Sequence, residues 1–148
     1  MEIIQKAKLD AAKLFGATAG QFFVGESGTE LLFLLIRNAA TSAKMGGNIV
    51  GSSFEHPATR SAAKHWASQT NREYINVQHD DHNGHVTAEL YTEIVSPDTR
   101  VVTILHASPV TGISVDLKKI SEAVRSISPE ALIIVDGVQY AAHGGIKI

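Results

Sequence analysis

The stretch "LIIVDGVQYAAH", residues 132–143, decides how this chain folds. Its apolar start is rich in β-branched residues, which is typical of a strand buried on both faces of a parallel sheet. The strand ends on Asp136, and Gln139 follows three residues later. A carboxylate at the end of a buried strand is costly unless a cation meets it. Because no Lys or Arg lies near Asp136 before Lys147, its partner must be sought elsewhere.

Outward from this strand, the chain alternates strands and helices. Apolar runs predict further strands over residues 21–24, 48–51, 72–77 and 100–107. Apolar residues at helical spacing predict helices over 2–15, 29–43, 57–69, 87–95 and 117–127. This order predicts an α/β fold of three layers, in which helices cover both faces of a mostly parallel sheet.

The composition narrows the class of protein. The 148 residues suffice for one domain, and a net charge of −2 without a Lys/Arg-rich run argues against a general nucleic-acid binder. No apolar stretch reaches the roughly 18 residues that span a membrane. The absence of cysteine excludes disulfides, Cys-ligated zinc and a thiol nucleophile within this chain, and it fits a cytoplasmic protein. The final "GGIKI" looks like the opening of another strand, so we expect the chain to be part of a longer protein.

The turn "GESGTE", residues 25–30, lies between a predicted strand and a helix. Unpaired backbone N–H groups and the helix dipole favour an anion at such a position. Gly28 lets the backbone approach the anion, and the hydroxyls of Ser27 and Thr29 can donate to phosphate oxygens. The alternative is a plain helix cap by Ser27 or Thr29. The turn is not a Walker loop, because the terminal Gly-Lys-Ser/Thr is missing.

Two further turns carry histidines at the same edge of the predicted sheet, where ligands bind in open α/β folds. His56 precedes Pro57 at a helix start and can stack on a planar ligand, or it is a surface or capping histidine. His106 follows a buried strand. A phosphate site, a flat stacking group and a buried carboxylate together fit a ligand with a phosphate, an aromatic ring and a basic ring nitrogen. Pyridoxal 5′-phosphate is such a ligand, and its pyridinium would be the missing cation for Asp136.

Four segments resemble, in order and spacing, the class V aminotransferase family, which includes cysteine desulfurases and shares the fold-type I pyridoxal-phosphate architecture. They are "GESGTELLFLLIRNAA" (25–40), "FEHPATRSAAKHWA" (54–67), "HASPVTG" (106–112) and "IIVDGVQYAAH" (133–143). The resemblance implies that Gly28 and Thr29 hold the phosphate and that His56 stacks on the ring. It implies that Asp136 pairs with the pyridine nitrogen and that Gln139 hydrogen-bonds the ring oxygen. His106 would help shape the pocket, and His143 would flank it.

The resemblance also sets expectations for the whole protein. It implies that residues 1–148 are the central part of a large domain. The N-terminal segment, the Schiff-base Lys region and the small domain would then lie outside this chain, which we expect to be inactive alone. It implies an amino-acid substrate and a homodimer, with transamination, desulfuration, epimerisation and lyase chemistry all open. Pro109 stands where desulfurases often have Asn, and it cannot donate a side-chain hydrogen bond to the cofactor.

A serine hydrolase is a rival interpretation. Ser27, Asp136 and His143 follow the chain order of that fold's catalytic triad. However, Thr29 replaces the second Gly of G-x-S-x-G, and the gap from Asp136 to His143 is very short.

Two other interpretations place no catalytic site at the carboxyl edge of the predicted sheet. The loop "QHDDHNGH" (78–85) offers His79, Asp81, His82 and His85 as ligands for zinc or nickel. We expect instead a solvated loop with a tight turn at Asn83-Gly84. A non-catalytic α/β ligand-binding domain also fits the fold, but it lacks G-x-G-x-x-G and leaves Asp136 and His56 without a role.

Overall fold

In the computed structural model, which describes residues 2–143, four strands and six helices follow one another along the chain. The strands are β1 (Asn48–Ser52), β2 (Glu73–Val77), β3 (Thr99–Leu105) and β4 (Leu132–Asp136). The helices are α1 (Glu2–Phe15), α2 (Gly28–Ser42), α3 (Pro57–Gln69), α4 (Ala88–Ile94), α5 (Leu117–Ile127) and α6 (Val138–His143).

The strands form one parallel sheet in the order β2-β1-β3-β4. In the β3–β4 register Leu105 lies opposite Asp136, so both residues reach the carboxyl edge of the sheet together. Helices α2 and α3 pack on one face of the sheet, and α4 and α5 pack on the other. The predicted three-layer α/β fold with a mostly parallel sheet is therefore confirmed.

The two faces of the sheet have different cores. On the α4/α5 face, strand residues such as Val50 and Val102 pack against Tyr91, Ile120 and Val124. The α2/α3 face instead packs close to an alanine-rich helix surface around Ile36, with Ala39, Ala40, Ala62, Ala63 and Ala67. Small side chains let these two helices approach the sheet and each other closely.

The α2/α3 face becomes polar towards the carboxyl ends of β1 and β3. A Cβ at Gly51 would lie 2.7 Å from the Tyr74 hydroxyl and 2.8 Å from Thr103 Oγ1. Glycine at this position therefore leaves room for two hydroxyl groups inside the fold. Two residues of β3 on this face, Thr103 and Leu105, are buried.

The strand predicted over residues 21–24 is wrong. Apolar β-formers suggested a strand there, but a strand also needs a neighbour for its backbone groups. No strand of the described range pairs with this segment, and Phe23 and Val24 are 74% and 69% exposed. The predicted helix α1 is present, yet none of its residues is buried.

Some expectations lie outside the described residues. These are the one on Lys147 and the one on the strand suggested by "GGIKI". No helix within residues 2–143 combines the length and apolar character that a membrane crossing requires.

Candidate active site

A cavity of about 270 Å³ opens at the carboxyl edge of the sheet, between α2, α3 and the end of β4. The structure brings together here five of the site residues predicted from the sequence, from three separate turns of the chain. The cavity is lined by Gly28, Thr29, Leu32, His56, Leu105, Pro109, Asp136, Val138 and Gln139. Parallel strands present all their carboxyl ends at one edge, which is why residues so distant in sequence meet.

The first turn of α2 forms one wall of this cavity. Ser27 has extended backbone angles and caps the helix, because its Oγ accepts a hydrogen bond from the Glu30 N–H at 3.1 Å. Glu30 in turn accepts from the Glu26 N–H at 3.2 Å. Within the described residues the N–H groups of Gly28 and Thr29 have no hydrogen-bond acceptor. The capping alternative for Ser27 is therefore observed, and the two free N–H groups still offer an anion site.

Asp136 lies at the end of β4 and is only 6% exposed. The Thr59 hydroxyl donates to Oδ2 at 3.3 Å, and the Val138 N–H donates to Oδ1 at 3.2 Å. The ion pairs found among residues 2–143 do not include Asp136. A buried carboxylate held by two donors and facing a cavity favours a cationic ligand there.

His56 occupies the capping position of α3, ahead of Pro57 in the first turn. Its Nδ1 accepts a hydrogen bond from the Ala58 N–H at 3.2 Å. A neutral ring therefore carries its proton on Nε2. His56 thus caps the helix, as one interpretation held, and also lines the cavity.

A second cavity, of about 350 Å³, adjoins the first and shares Pro109 and Gln139 with it. His143 lines this second cavity. His106 is not among the residues that line either one. Its ring stacks on Tyr140 with 3.6 Å between centroids, and Tyr140 lines the second cavity. Burial lowers the pKa of His106, which favours the neutral form of its ring.

The sequence interpretation missed Glu55, which lies in the turn between β1 and α3. This side chain is 3% exposed, and neither of its carboxyl oxygens has a hydrogen-bond partner within the described residues. Burial, together with the negative charge of Asp136, raises the pKa of Glu55 to about 8. The only sequence signal was its place between a buried strand and a capping histidine, because turns usually expose a glutamate.

The rival sites are not assembled. No hydrogen bond among the described residues joins Ser27, Asp136 and His143, and Ser27 is occupied as a helix cap. In residues 2–143 no three His, Cys, Asp or Glu side chains are placed to hold a metal ion.

The loop that suggested a metal site has a local explanation. Asp80 Oδ1 accepts from the N–H groups of His82 and Asn83, and Gly84 has a positive φ of 71°. These contacts form the tight turn predicted at Asn83-Gly84.

Comparison with known proteins assigns this geometry to a family. The family model described as "Aminotransferase class-V" matches residues 1–148. The chain is 27% identical over 146 residues to a probable cysteine desulfurase of Mycoplasma pneumoniae. It is 30% identical over 149 residues to the cysteine desulfurase IscS of Tolumonas auensis. Among solved structures, a NifS-like protein superposes with a TM-score of 0.88 at 25% identity, over 98% of this chain and 40% of that protein.

The match covers nearly all of this chain but a minority of each relative. The alignments include 99% of this chain, against 35% of the Mycoplasma protein and 36% of the Tolumonas protein. The chain therefore spans about a third of the length of the curated relatives it matches.

Proposed function

The chain belongs to the class-V aminotransferase family, and we propose that its edge cavity binds pyridoxal 5′-phosphate in an enzyme that acts on an amino acid. The single observation that carries this proposal is Asp136, a buried carboxylate that faces the cavity and has no cation among the described residues. The cofactor carries a basic ring nitrogen, which would supply that cation.

The other walls of the cavity fit the rest of the cofactor. The free N–H groups of Gly28 and Thr29 lie at the start of α2, where a phosphate is favoured by both hydrogen bonding and the helix dipole. Leu32, Leu105 and Val138 give apolar walls for a ring.

Each polar residue has a distinct task in this proposal. Asp136 accepts a hydrogen bond from the ring N–H and keeps the proton there, and Thr59 and Val138 hold the carboxylate in place. His56, fixed by the Ala58 N–H, offers a flat face for stacking. Gln139 offers an amide N–H to a ring oxygen. When bound, the protonated ring supplies an electron sink for bonds at the amino-acid α-carbon.

The class of reaction is proposed only as amino-acid chemistry. Both relatives named above are desulfurases, or probable ones, by name, whereas this chain contains no cysteine and has Pro109 in the cavity wall. The proline side chain has no hydrogen-bonding group, so it cannot supply the hydrogen bond that an asparagine side chain would give. Desulfuration, transamination, epimerisation and lyase chemistry all remain within the proposal.

We also propose that residues 1–148 form part of a large domain and that residues outside it, including the Schiff-base Lys, complete the active site. This part of the proposal is supported by the match to the relatives, of whose length the chain spans about a third. A homodimer is part of the proposal, supported by apolar side chains exposed on α1 and α2, which are Ile3, Ile4, Leu9, Leu14, Phe33, Leu34 and Leu35. The absence of cysteine supports a cytoplasmic location. No nucleic-acid or membrane partner is proposed.

The proposal is tested by measuring the binding of two ligands to the wild-type protein and to Asp136→Asn. One ligand is pyridoxal 5′-phosphate, and the other is its carbocyclic analogue, in which a C–H replaces the ring nitrogen. Hydrogen bonds to charged groups contribute about 1.5–3 kcal/mol, so Asp136→Asn should weaken the binding of pyridoxal 5′-phosphate about 10- to 100-fold. Binding of the analogue should change little. Equal losses for both ligands, or no binding of either one, would contradict the proposal.

A further inference from the structure

Two carboxyl groups lie buried at the same edge of the sheet, and their surroundings differ. Asp136 accepts hydrogen bonds from Thr59 and Val138. Glu55 receives no hydrogen bond from any described residue, although it is the more buried of the two. Donors stabilise an ionised carboxylate, whereas burial without donors stabilises the neutral acid. When two titratable groups are pushed apart in this way, one holds the charge and the other holds the proton.

Groups from three other elements interact with Glu55. Thr103 lies on β3, Tyr74 on β2 and Tyr91 on α4, and burial, followed by the charge of Glu55, raises the pKa of both tyrosines. The Thr103 hydroxyl and the backbone of Ser52 and Leu105 lower the pKa of Glu55 by less than burial raises it, and none of them forms a hydrogen bond with a carboxyl oxygen.

The charged neighbour of Glu55 is an anion. Among the described residues Asp136 is the charged group that acts on it, and Arg60 on α3 acts on Tyr74 instead. A nearby cation that would favour an ionised Glu55 is therefore lacking in this part of the chain.

We propose that Glu55 is a positioning residue for Asp136: as a neutral acid buried in the turn between β1 and α3 it leaves Asp136 the buried negative charge at this edge, and it gives up its proton more readily when a cation binds Asp136. This inference rests on the proposed function, since the cation it invokes is the ring N–H of the cofactor. The step moves one proton from the Glu55 carboxyl to solvent and leaves a carboxylate. No bond to the ligand forms and no electron is transferred.

The coupling has a physical cause and a required reciprocal. Burial is the largest cause of the raised pKa of Glu55, and the negative charge of Asp136 adds to it. A cation at Asp136 cancels that added contribution, so binding lowers the pKa of Glu55 part of the way. Linkage then requires that the protein bind the cation at Asp136 more tightly when Glu55 is ionised. The affinity for the cofactor should therefore contain a component that rises with pH through the titration of Glu55.

The protonation state is read directly by NMR, on the protein that contains this chain, labelled with ¹³Cδ-glutamate. Without cofactor, one glutamate carboxyl should titrate near pH 8. Its midpoint should move to lower pH in Asp136→Asn and on addition of pyridoxal 5′-phosphate. The signal should be lost in Glu55→Gln and kept in Glu93→Gln, a matched change at an exposed glutamate of α4. Titration of every glutamate below about pH 6 would overturn the proposal. If Glu55→Gln does not fold, the wild-type protein and Asp136→Asn still decide it.

The second readout is the ratio of cofactor affinities of the wild-type protein and Glu55→Gln. The two affinities should be equal at pH 6.5, where both side chains are neutral. At pH 9 the wild-type protein should bind pyridoxal 5′-phosphate about fivefold more tightly, the lower end of typical coupling between sites. The carbocyclic analogue should give the same ratio at both pH values.

The outcomes separate this inference from the proposed function. Binding that depends on Asp136 together with a ratio that stays flat with pH would overturn the role of Glu55 and leave the proposed function standing. Binding of both ligands that is indifferent to Asp136 would overturn the proposed function, and the coupling to the cofactor with it.

Discussion

The two faces of the sheet bury different kinds of side chain. On the α4/α5 face, buried apolar side chains from Val50 to Val124 form a continuous core, and the Tyr91 hydroxyl donates to the Thr103 carbonyl at 3.0 Å. On the α2/α3 face, the apolar core stops short of the carboxyl edge. The buried side chains there include Thr103, Glu55 and Asp136, and Asp136 lines a cavity.

This difference shows which face stabilises the fold and which face lowers its stability. Each buried apolar residue of the α4/α5 face contributes to the free energy of folding. Buried carboxyl groups on the other face cost free energy unless a ligand or a proton compensates them. The proposed binding of a ligand would account for the polar edge, whereas the apolar face contributes stability. Changes on the two faces should have separable effects.

The largest expected effect is the pH dependence caused by Glu55. Burial raises its pKa from 4.5 to about 8, so the folded state holds this proton more tightly than the unfolded chain does. Below pH 4.5 Glu55 is protonated in both the folded and the unfolded state, so it causes no loss of stability there. As the pH rises from 4.5 towards 8, the unfolded chain loses this proton first, and the free energy of unfolding falls. The full loss is on the order of 4–5 kcal/mol.

Urea unfolding of the protein at several pH values measures this loss. Glu55→Gln should remove the decline, and Glu93→Gln should preserve it. A decline of equal size in Glu55→Gln would show that other groups cause it.

A smaller effect separates the two faces by paired truncations. Ile120 is 1% exposed in the core of the α4/α5 face, so Ile120→Ala should lower the free energy of unfolding by about 3 kcal/mol. Leu32 lines the cavity, and Leu32→Ala should cost less stability because it enlarges an existing opening instead of creating a closed void.

Affinity should show the opposite order. Leu32→Ala should weaken the binding of pyridoxal 5′-phosphate, and Ile120→Ala should leave it unchanged in the folded protein. Titrations well below the unfolding temperature test this. Equal losses of affinity in the two variants would contradict the division between the faces.

The smallest effect concerns the start of α2. Thr29→Ala removes a hydroxyl from the cavity wall, so binding of pyridoxal 5′-phosphate should weaken by about tenfold, as for a hydrogen bond to a charged group. Pyridoxal, which lacks the phosphate, should bind equally well to both proteins. Thr41→Ala, an exposed change at the other end of the helix, serves as the control. A loss of pyridoxal binding in Thr29→Ala would place the phosphate elsewhere.

Much of this architecture could be predicted from the sequence, because the signals were local. Apolar residues at helical spacing predicted helix α5, which spans Leu117–Ile127 and is capped by the Asp116 carboxylate. An apolar run ending in a carboxylate predicted β4 and Asp136. The parallel topology then explained why Gly28, His56 and Asp136 meet.

The remainder depended on contacts distant in sequence. Residues 21–24 have the composition of a strand, but strand formation requires a partner that composition does not reveal. Glu55 resembles an exposed turn residue, and only the tertiary packing around its turn buries it. The stacking of His106 on Tyr140 joins the end of β3 to helix α6 across 34 positions of sequence, beyond the reach of any local pattern.

The central claim is that Asp136 holds the proton of a bound pyridinium. It is tested most directly by the ¹⁵N chemical shift of ring-labelled pyridoxal 5′-phosphate bound to the wild-type protein and to Asp136→Asn. We predict a protonated ring nitrogen at pH 8 in the wild-type protein and an unprotonated one in the variant. An unprotonated nitrogen in the wild-type protein, or the same shift in both proteins, would contradict the claim.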